Sequence, residues 1–141
     1  DKDDTVGYEN GVRVMFESAH NSERYLLTFK NAGHNAGAPM PVPREILDSP
    51  FGEGADHYID SVWDNVRMNN IMAHFATAHF NAYLKGDATM LDYLNARRDE
   101  PAAAEGAVAA PAQESNRPLP GFTDGTDVGL ILEGLRPGER E

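Results

Sequence analysis

The sequence contains no cysteine among its 141 residues and has few basic residues for its length. The absence of cysteine excludes a disulfide-stapled fold, a thiol nucleophile and a zinc site with cysteine ligands. Twelve Lys and Arg stand against 23 Asp and Glu, which gives a formal net charge of -11 and a pI near 4.7. Nucleic-acid binding and docking on anionic lipid both need a basic surface, so this charge argues against either function.

Long apolar runs are also missing. No stretch approaches the roughly 20 apolar residues that a membrane-spanning helix needs. The acidic opening, Asp1 to Asp4, has none of the features of a signal peptide. Hydrophobic residues make up 40% of the chain, which is too many for a wholly disordered protein. These limits predict a soluble acidic protein, cytoplasmic or exported, that acts on small molecules or on other proteins.

Hydrophobic periodicity predicts a helix followed by a strand near the start of the chain. The helix is predicted from Tyr8 to Ala19, with Val12, Phe16 and Ala19 on its apolar face. The strand is predicted from Arg24 to Lys30, and its apolar residues are nearly continuous rather than alternating. Such continuity is typical of a parallel strand that is covered by helices on both faces.

The strongest helical pattern lies further along, from roughly Ile59 to Leu84, and Gly86 ends it. Residues 96–118 are rich in Ala, Pro and Glu and predict a flexible surface linker between the main unit, residues 1–95, and a strand-like closing segment, residues 119–135. Residues 136–141 form a polar tail. The predicted apolar face of the long helix consists of Val62, Val66, Met72, Phe75, His79 and Tyr83.

This set of elements does not make a complete sheet. The unpaired N–H and C=O groups at the edges of a single strand promote aggregation, and a stable sheet needs three or more strands. The sequence therefore predicts that residues 1–95 are part of a larger parallel α/β sheet whose preceding strand lies in a separate N-terminal segment. A self-sufficient small domain is the alternative.

Two residues with acid–base chemistry are predicted to meet at one edge of that sheet. Asp3 would directly follow the preceding strand, and His34 comes soon after the strand from Arg24 to Lys30. Because the carboxyl ends of neighbouring parallel strands share an edge, the two side chains are expected to lie side by side. A carboxylate bonded to an imidazole fixes its tautomer and stabilises the imidazolium formed when the histidine removes a hydroxyl proton. The order acid, then His, is that of the last two members of a Ser…Asp…His hydrolase.

Three segments then carry a resemblance to a known superfamily: Asp3 to Val6, Tyr25 to Pro39 (YLLTFKNAGHNAGAP) and His57 to Asp87. They resemble the C-terminal third of α/β-hydrolase fold proteins, above all the predicted dienelactone hydrolase and platelet-activating-factor acetylhydrolase-like esterases. The resemblance covers residues 1–95 and recurs weakly at Leu119–Leu135. It implies an α/β fold class, namely the C-terminal portion of an α/β-hydrolase fold, a parallel sheet flanked by helices, which is incomplete without an N-terminal segment.

The same resemblance implies a carboxylic ester hydrolase in which Asp3 is the triad acid, Asp4 the alternative acid and His34 the general base. No cofactor and no metal is implied. The expected partners are a small-molecule ester and an N-terminal hydrolase segment that carries the nucleophile and the oxyanion hole. This chain alone is not expected to be active, because no serine lies in a Gly-x-Ser-x-Gly elbow. Its five serines are Ser18, Ser22, Ser49, Ser61 and Ser115.

Two functions from other classes stay open, namely a non-catalytic binding module derived from a hydrolase and a self-contained acidic adaptor. An EF-hand calcium loop at the N-terminus is excluded, because the sixth and twelfth positions are Val6 and Val12 rather than Gly and Glu. The histidines His57, His74 and His79 lack metal-ligand spacing and predict packing or capping positions.

Two aromatic residues near the start of the long helix, Tyr58 and Trp63, fit either core packing or an acyl pocket. The residue types do not separate these two interpretations, because both environments are apolar.

Overall fold

The computed structural model describes residues 1–37, 42–49, 54–95 and 118–139. The predicted linker, residues 96–118, falls outside the described residues except for Pro118. The strands are β1 (Arg24–Phe29) and β2 (Leu130–Leu135). The α-helices are α1 (Arg13–Ser18), α2 (Arg44–Leu47) and α3 (Asn65–Lys85); a π-helical turn lies at Tyr8–Val12, and 3₁₀ turns lie at His34–Gly37, Ala55–Tyr58 and Ala88–Leu94.

The predicted strand is confirmed as β1, which pairs antiparallel with β2. Arg24 lies opposite Leu135, and Phe29 lies opposite Leu130. Within the described residues this is the only strand pairing, and it contains no parallel neighbour. The α/β-hydrolase fold class therefore stays a prediction.

One edge of β1 faces β2 and the other is open. The Lys30 N–H donates to the Gly129 carbonyl at 2.7 Å. Backbone groups alternate in direction along a strand, so the N–H and C=O groups of Thr28, Leu26 and Arg24 also point toward β2. The N–H and C=O groups of Tyr25, Leu27 and Phe29 consequently point to the opposite edge. Among the residues that the structure describes, no strand occupies that edge.

Helices cover both faces of β1, as the sequence predicts. On one face, the Tyr8 hydroxyl of the π-helical turn lies 3.0 Å from the Thr28 hydroxyl. On the same face, the Arg24 guanidinium lies over the ring of Phe16, which belongs to α1. Phe16 is the buried residue of α1, whereas Val12 and Ala19 of the predicted apolar face are exposed. That part of the prediction was wrong, because α1 is shorter than predicted and Val12 and Ala19 lie just outside its two ends.

The opposite face of β1 packs against α3. Phe29 contacts the Trp63 ring edge-on, with ring centroids 5.0 Å apart, and Trp63 is only 6% exposed. The core here joins the sheet, α3 and the closing segment, whose Leu119 is 1% exposed. The buried residues of α3 itself follow helical spacing and are Asn65, Met68, Ile71, Phe75 and Ala78.

The start of α3 and its apolar face differ from the prediction. The helix begins at Asn65, where the Asp64 side chain accepts a hydrogen bond from the Arg67 N–H, and not at Ile59. Val62 and Val66 are 59% and 54% exposed, so they do not belong to the buried face. The end was predicted correctly, because Gly86 has the left-handed φ of 72° that favours glycine. No helix among the described residues has the length and apolar character needed to cross a membrane.

Candidate active site

Asp3 and His34 lie side by side, as the sequence predicts. The His34 Nδ1 atom is 2.9 Å from the Asp3 Oδ2 atom. The chain leaves β1 through a tight turn, in which Asn31 has a φ of 63° and the Ala32 N–H donates to the Phe29 carbonyl. His34 then opens the 3₁₀ turn His34–Gly37, so its ring stands just beyond the end of the strand.

The backbone before Asp3 is bonded to the same end of β1. The Asp1 nitrogen donates to the Phe29 carbonyl at 3.0 Å, and the Lys2 N–H donates to the Ala32 carbonyl at 2.9 Å. Residues 1 and 2 are therefore bonded to the turn that ends β1, where the Phe29 carbonyl points to the edge that β2 leaves open. These bonds bring Asp3 to the loop that carries His34.

Local backbone amides fix the Asp3 carboxylate. Its Oδ1 accepts from the Thr5 N–H at 2.9 Å and from the Val6 N–H at 3.0 Å. This arrangement leaves Oδ2 for His34. The hydrogen bond with His34, followed by the one from Val6, holds the pKa of the Asp3 carboxyl below its usual range. Asp3 is therefore ionised at neutral pH.

The ionised carboxylate determines which nitrogen of His34 carries the proton. A carboxylate can only accept a hydrogen bond, so Nδ1 of the neutral ring is protonated and Nε2 holds a free lone pair. The side chain of His34 is 45% exposed, and no described residue hydrogen-bonds to Nε2. A ring held at Nδ1 with an open Nε2 can take a proton from a hydroxyl group placed next to it.

The structure also separates the two candidate acids. Asp4 is exposed, and within the described part of the chain its carboxylate contacts neither His34 nor a backbone amide. Of the aspartates that the structure describes, only Asp3 hydrogen-bonds the imidazole. The pattern of two adjacent aspartates could not make this distinction, because either residue could have pointed at the loop.

Sequence reasoning missed Asp60, which lies beside the same loop. Its Oδ2 accepts from the Gly33 N–H at 2.9 Å, and its Oδ1 accepts from the Val62 and Trp63 N–H groups, both at 2.8 Å. Burial by itself raises the pKa of Asp60, but the hydrogen bonds from Gly33, Trp63 and Val62 hold it below the usual range. The sequence does contain a pattern typical of such a turn, an aspartate three residues before a tryptophan. Because the predicted helix includes Asp60, a turn at this position was not predicted.

The other singled-out residues lie away from this pair. Trp63 is a core residue whose indole N–H donates to the Lys30 carbonyl at 2.8 Å. His74 packs against Phe122 and lies 3.0 Å from the Pro120 carbonyl, and His79 packs between Tyr25 and Tyr83. These are packing positions, as predicted for both histidines, whereas His57 is exposed.

An open cleft of about 460 Å³ between α3 and the closing segment is lined by Arg67, Asn70, His74 and Phe122, among others, and does not include Asp3 or His34. In the ranges that the structure describes, no three His, Asp or Glu side chains converge as a metal site.

No protein-family model, curated protein or solved structure gives a significant match to this chain.

Proposed function

We propose that this chain supplies the acid and the base of a serine-dependent carboxylic ester hydrolase. The observation that carries the proposal is the 2.9 Å contact between Asp3 Oδ2 and His34 Nδ1, with Nε2 open to an incoming group. The nucleophilic serine and the oxyanion donors belong to an N-terminal segment outside this chain. The substrate is a small carboxylic ester, and the reaction needs no cofactor.

The roles of the two residues follow from their protonation states. In the acylation step, His34 Nε2 takes the proton of the serine hydroxyl as its oxygen attacks the ester carbonyl, and it then gives this proton to the leaving alcohol. In the second step, Nε2 takes a proton from water, which attacks the acyl-enzyme and releases the acid. Asp3 stays ionised throughout and stabilises the imidazolium that forms in each step.

The open edge of β1 supports a separate companion segment. The backbone groups of Tyr25 and Leu27 point away from β2, and the Asp1 nitrogen already bonds the Phe29 carbonyl at the end of that edge. A strand that leads into Asp1 and pairs with this edge parallel to β1 would place its carboxyl end beside His34. Helices on both faces of the sheet suit such a parallel addition.

The test uses the protein together with its N-terminal segment. His34→Ala should lower turnover of a p-nitrophenyl ester by roughly 10³-fold or more, because the triad loses its base. The matched control is His57→Ala, which removes an exposed histidine and should leave turnover unchanged. A fluorophosphonate probe should label a serine in the N-terminal segment.

Two results would contradict the proposal. Unchanged turnover in His34→Ala would remove His34 from the reaction. A companion segment that the probe does not label, while a known serine hydrolase reacts under the same conditions, would favour the non-catalytic binding module.

A further inference from the structure

Two neighbouring residues of the loop after β1 are each held by an aspartate from a different part of the chain. Asp3 bonds the ring of His34, and Asp60 bonds the backbone N–H of Gly33. Both aspartates use Oδ1 for the amides two and three residues ahead of them and Oδ2 for the loop. The loop is therefore clamped on two consecutive residues.

We propose that Asp60 is a positioning residue that sets the orientation of His34 toward Asp3. Its effect on the Asp3–His34 contact is a property of the folded chain, and only its effect on turnover rests on the proposed hydrolase function.

The contacts of Asp60 connect the loop to the rigid core. The Trp63 N–H that bonds Asp60 belongs to a residue that is packed against Phe29 and bonded to the Lys30 carbonyl. The peptide group that Asp60 holds joins Ala32 to Gly33, so only the backbone of Gly33 separates it from His34, and fixing it restricts where the imidazole can go. The fit at Gly33 is close, because a Cβ atom there would lie 3.2 Å from Asp60 Oδ2.

Capping of α3 does not account for this arrangement. Asp64 already caps the helix by accepting from the Arg67 N–H at 2.8 Å. Asp60 lies one turn earlier, and Oδ2 bonds a residue 27 positions away along the chain. If Asp60 served only to stabilise its own turn, the bonds from its Oδ1 to the Val62 and Trp63 amides would suffice.

Asp60→Asn tests the proposal in the full chain. Asparagine keeps one acceptor oxygen for Val62 and Trp63, but its NH₂ group cannot accept from the Gly33 N–H. If Asp60 positions His34, the substitution loosens the bond to Asp3, and the Asp3 pKa measured by ¹³C NMR rises toward its usual range. Loss of a negative charge alone would lower the Asp3 pKa, so the two explanations predict opposite signs.

Asp64→Asn is the matched control, since it removes the same charge nearby and preserves the helix cap. It should leave the Asp3 pKa unchanged or slightly lower. An Asp3 pKa that does not rise in Asp60→Asn, although the Gly33 amide resonance moves, would overturn the proposal.

Gly33→Ala provides a second variant that leaves the Asp60 charge in place. Its methyl group would crowd Asp60 Oδ2, so the Asp3 pKa should rise as it does in Asp60→Asn. An unchanged Asp3 pKa in Gly33→Ala, with an intact Trp63 indole resonance to show folding, would also contradict the proposal.

Turnover in the protein assembled with its N-terminal segment separates the two proposals. Asp60→Asn should lower kcat by about 10–100-fold with KM unchanged, because a displaced base weakens the chemical step and not substrate binding. If the Asp3 pKa rises but the wild-type assembly hydrolyses no ester, the positioning role stands and the hydrolase function fails. If the wild type is active and Asp60→Asn changes neither quantity, only the positioning role fails.

Discussion

Asp3 and Asp60 show how short local patterns can hold a longer-range contact. In each residue, two nearby backbone amides fix one carboxylate oxygen, and the other oxygen bonds the loop after β1. The ordering of each carboxylate thus comes from its own neighbours in sequence. This leaves little side-chain freedom to lose when the contact with the loop forms.

At this scale the pH dependence of stability has a definite sign. The pKa of Asp3 is lower in the folded chain than in the unfolded one, first because of His34 and then because of Val6. Its contribution is fully present above the unfolded pKa of about 3.9 and is lost as pH falls through the folded pKa. Asp3→Asn should therefore cost most stability at neutral pH and progressively less below pH 4, as measured by urea unfolding.

Asp4→Asn is the control for this measurement, because it removes the adjacent charge and leaves the bond to His34. If the stability losses in Asp3→Asn and Asp4→Asn shrink equally as the pH falls, the pH dependence of stability does not arise from the Asp3–His34 bond.

Among the elements, α3 shows which boundaries a sequence pattern can set. Gly86 marks the end of the helix, because a left-handed residue after a helical run is a local requirement. The start was misplaced because Ile59 to Asp64 have apolar spacing suited to a helix, whereas the Asp60 carboxylate binds the Val62 and Trp63 amides in a turn. Side-chain competition of this kind is invisible to hydrophobic periodicity.

The N-cap of α3 gives a prediction for this element. Asp64→Ala removes the acceptor of the Arg67 N–H and should lower the free energy of unfolding by about 1 kcal/mol. Asp64→Asn retains a capping oxygen and should cost much less. Equal losses in urea unfolding would show that the charge of Asp64, and not its capping bond, stabilises the helix.

For the whole molecule, the sequence predicted the strand and its helices, since these follow from local patterns. It also predicted the meeting of Asp3 with His34, but through a neighbouring parallel strand that the described residues do not contain. It did not predict that β2 would pair antiparallel with β1, because that contact joins residues more than 100 positions apart. It also placed the closing segment as a separate unit, whereas Leu119 and Leu132 lie in the same core as α3.

This shared core leads to a prediction. Leu119→Ala should lower the free energy of unfolding by about 2–5 kcal/mol, because it leaves a cavity beneath α3. Val128→Ala is the control in the same segment, since Val128 is 71% exposed and its truncation should cost at most about 0.5 kcal/mol. A loss in Leu119→Ala no larger than in Val128→Ala would mean that the segment does not stabilise residues 1–95.

The hydrogen bonds at the start of the chain also fix how residues 1 and 2 lie against the turn that ends β1. The Asp1 nitrogen lies on the Phe29 carbonyl and the Lys2 N–H on the Ala32 carbonyl, so Asp3 follows a backbone that is already bonded to the end of β1. A shift of one residue in this pairing would move Asp3 by about 3.3 Å, which exceeds its 2.9 Å contact with His34. The contact between Asp3 and His34 therefore depends on these main-chain hydrogen bonds as well as on the two side chains.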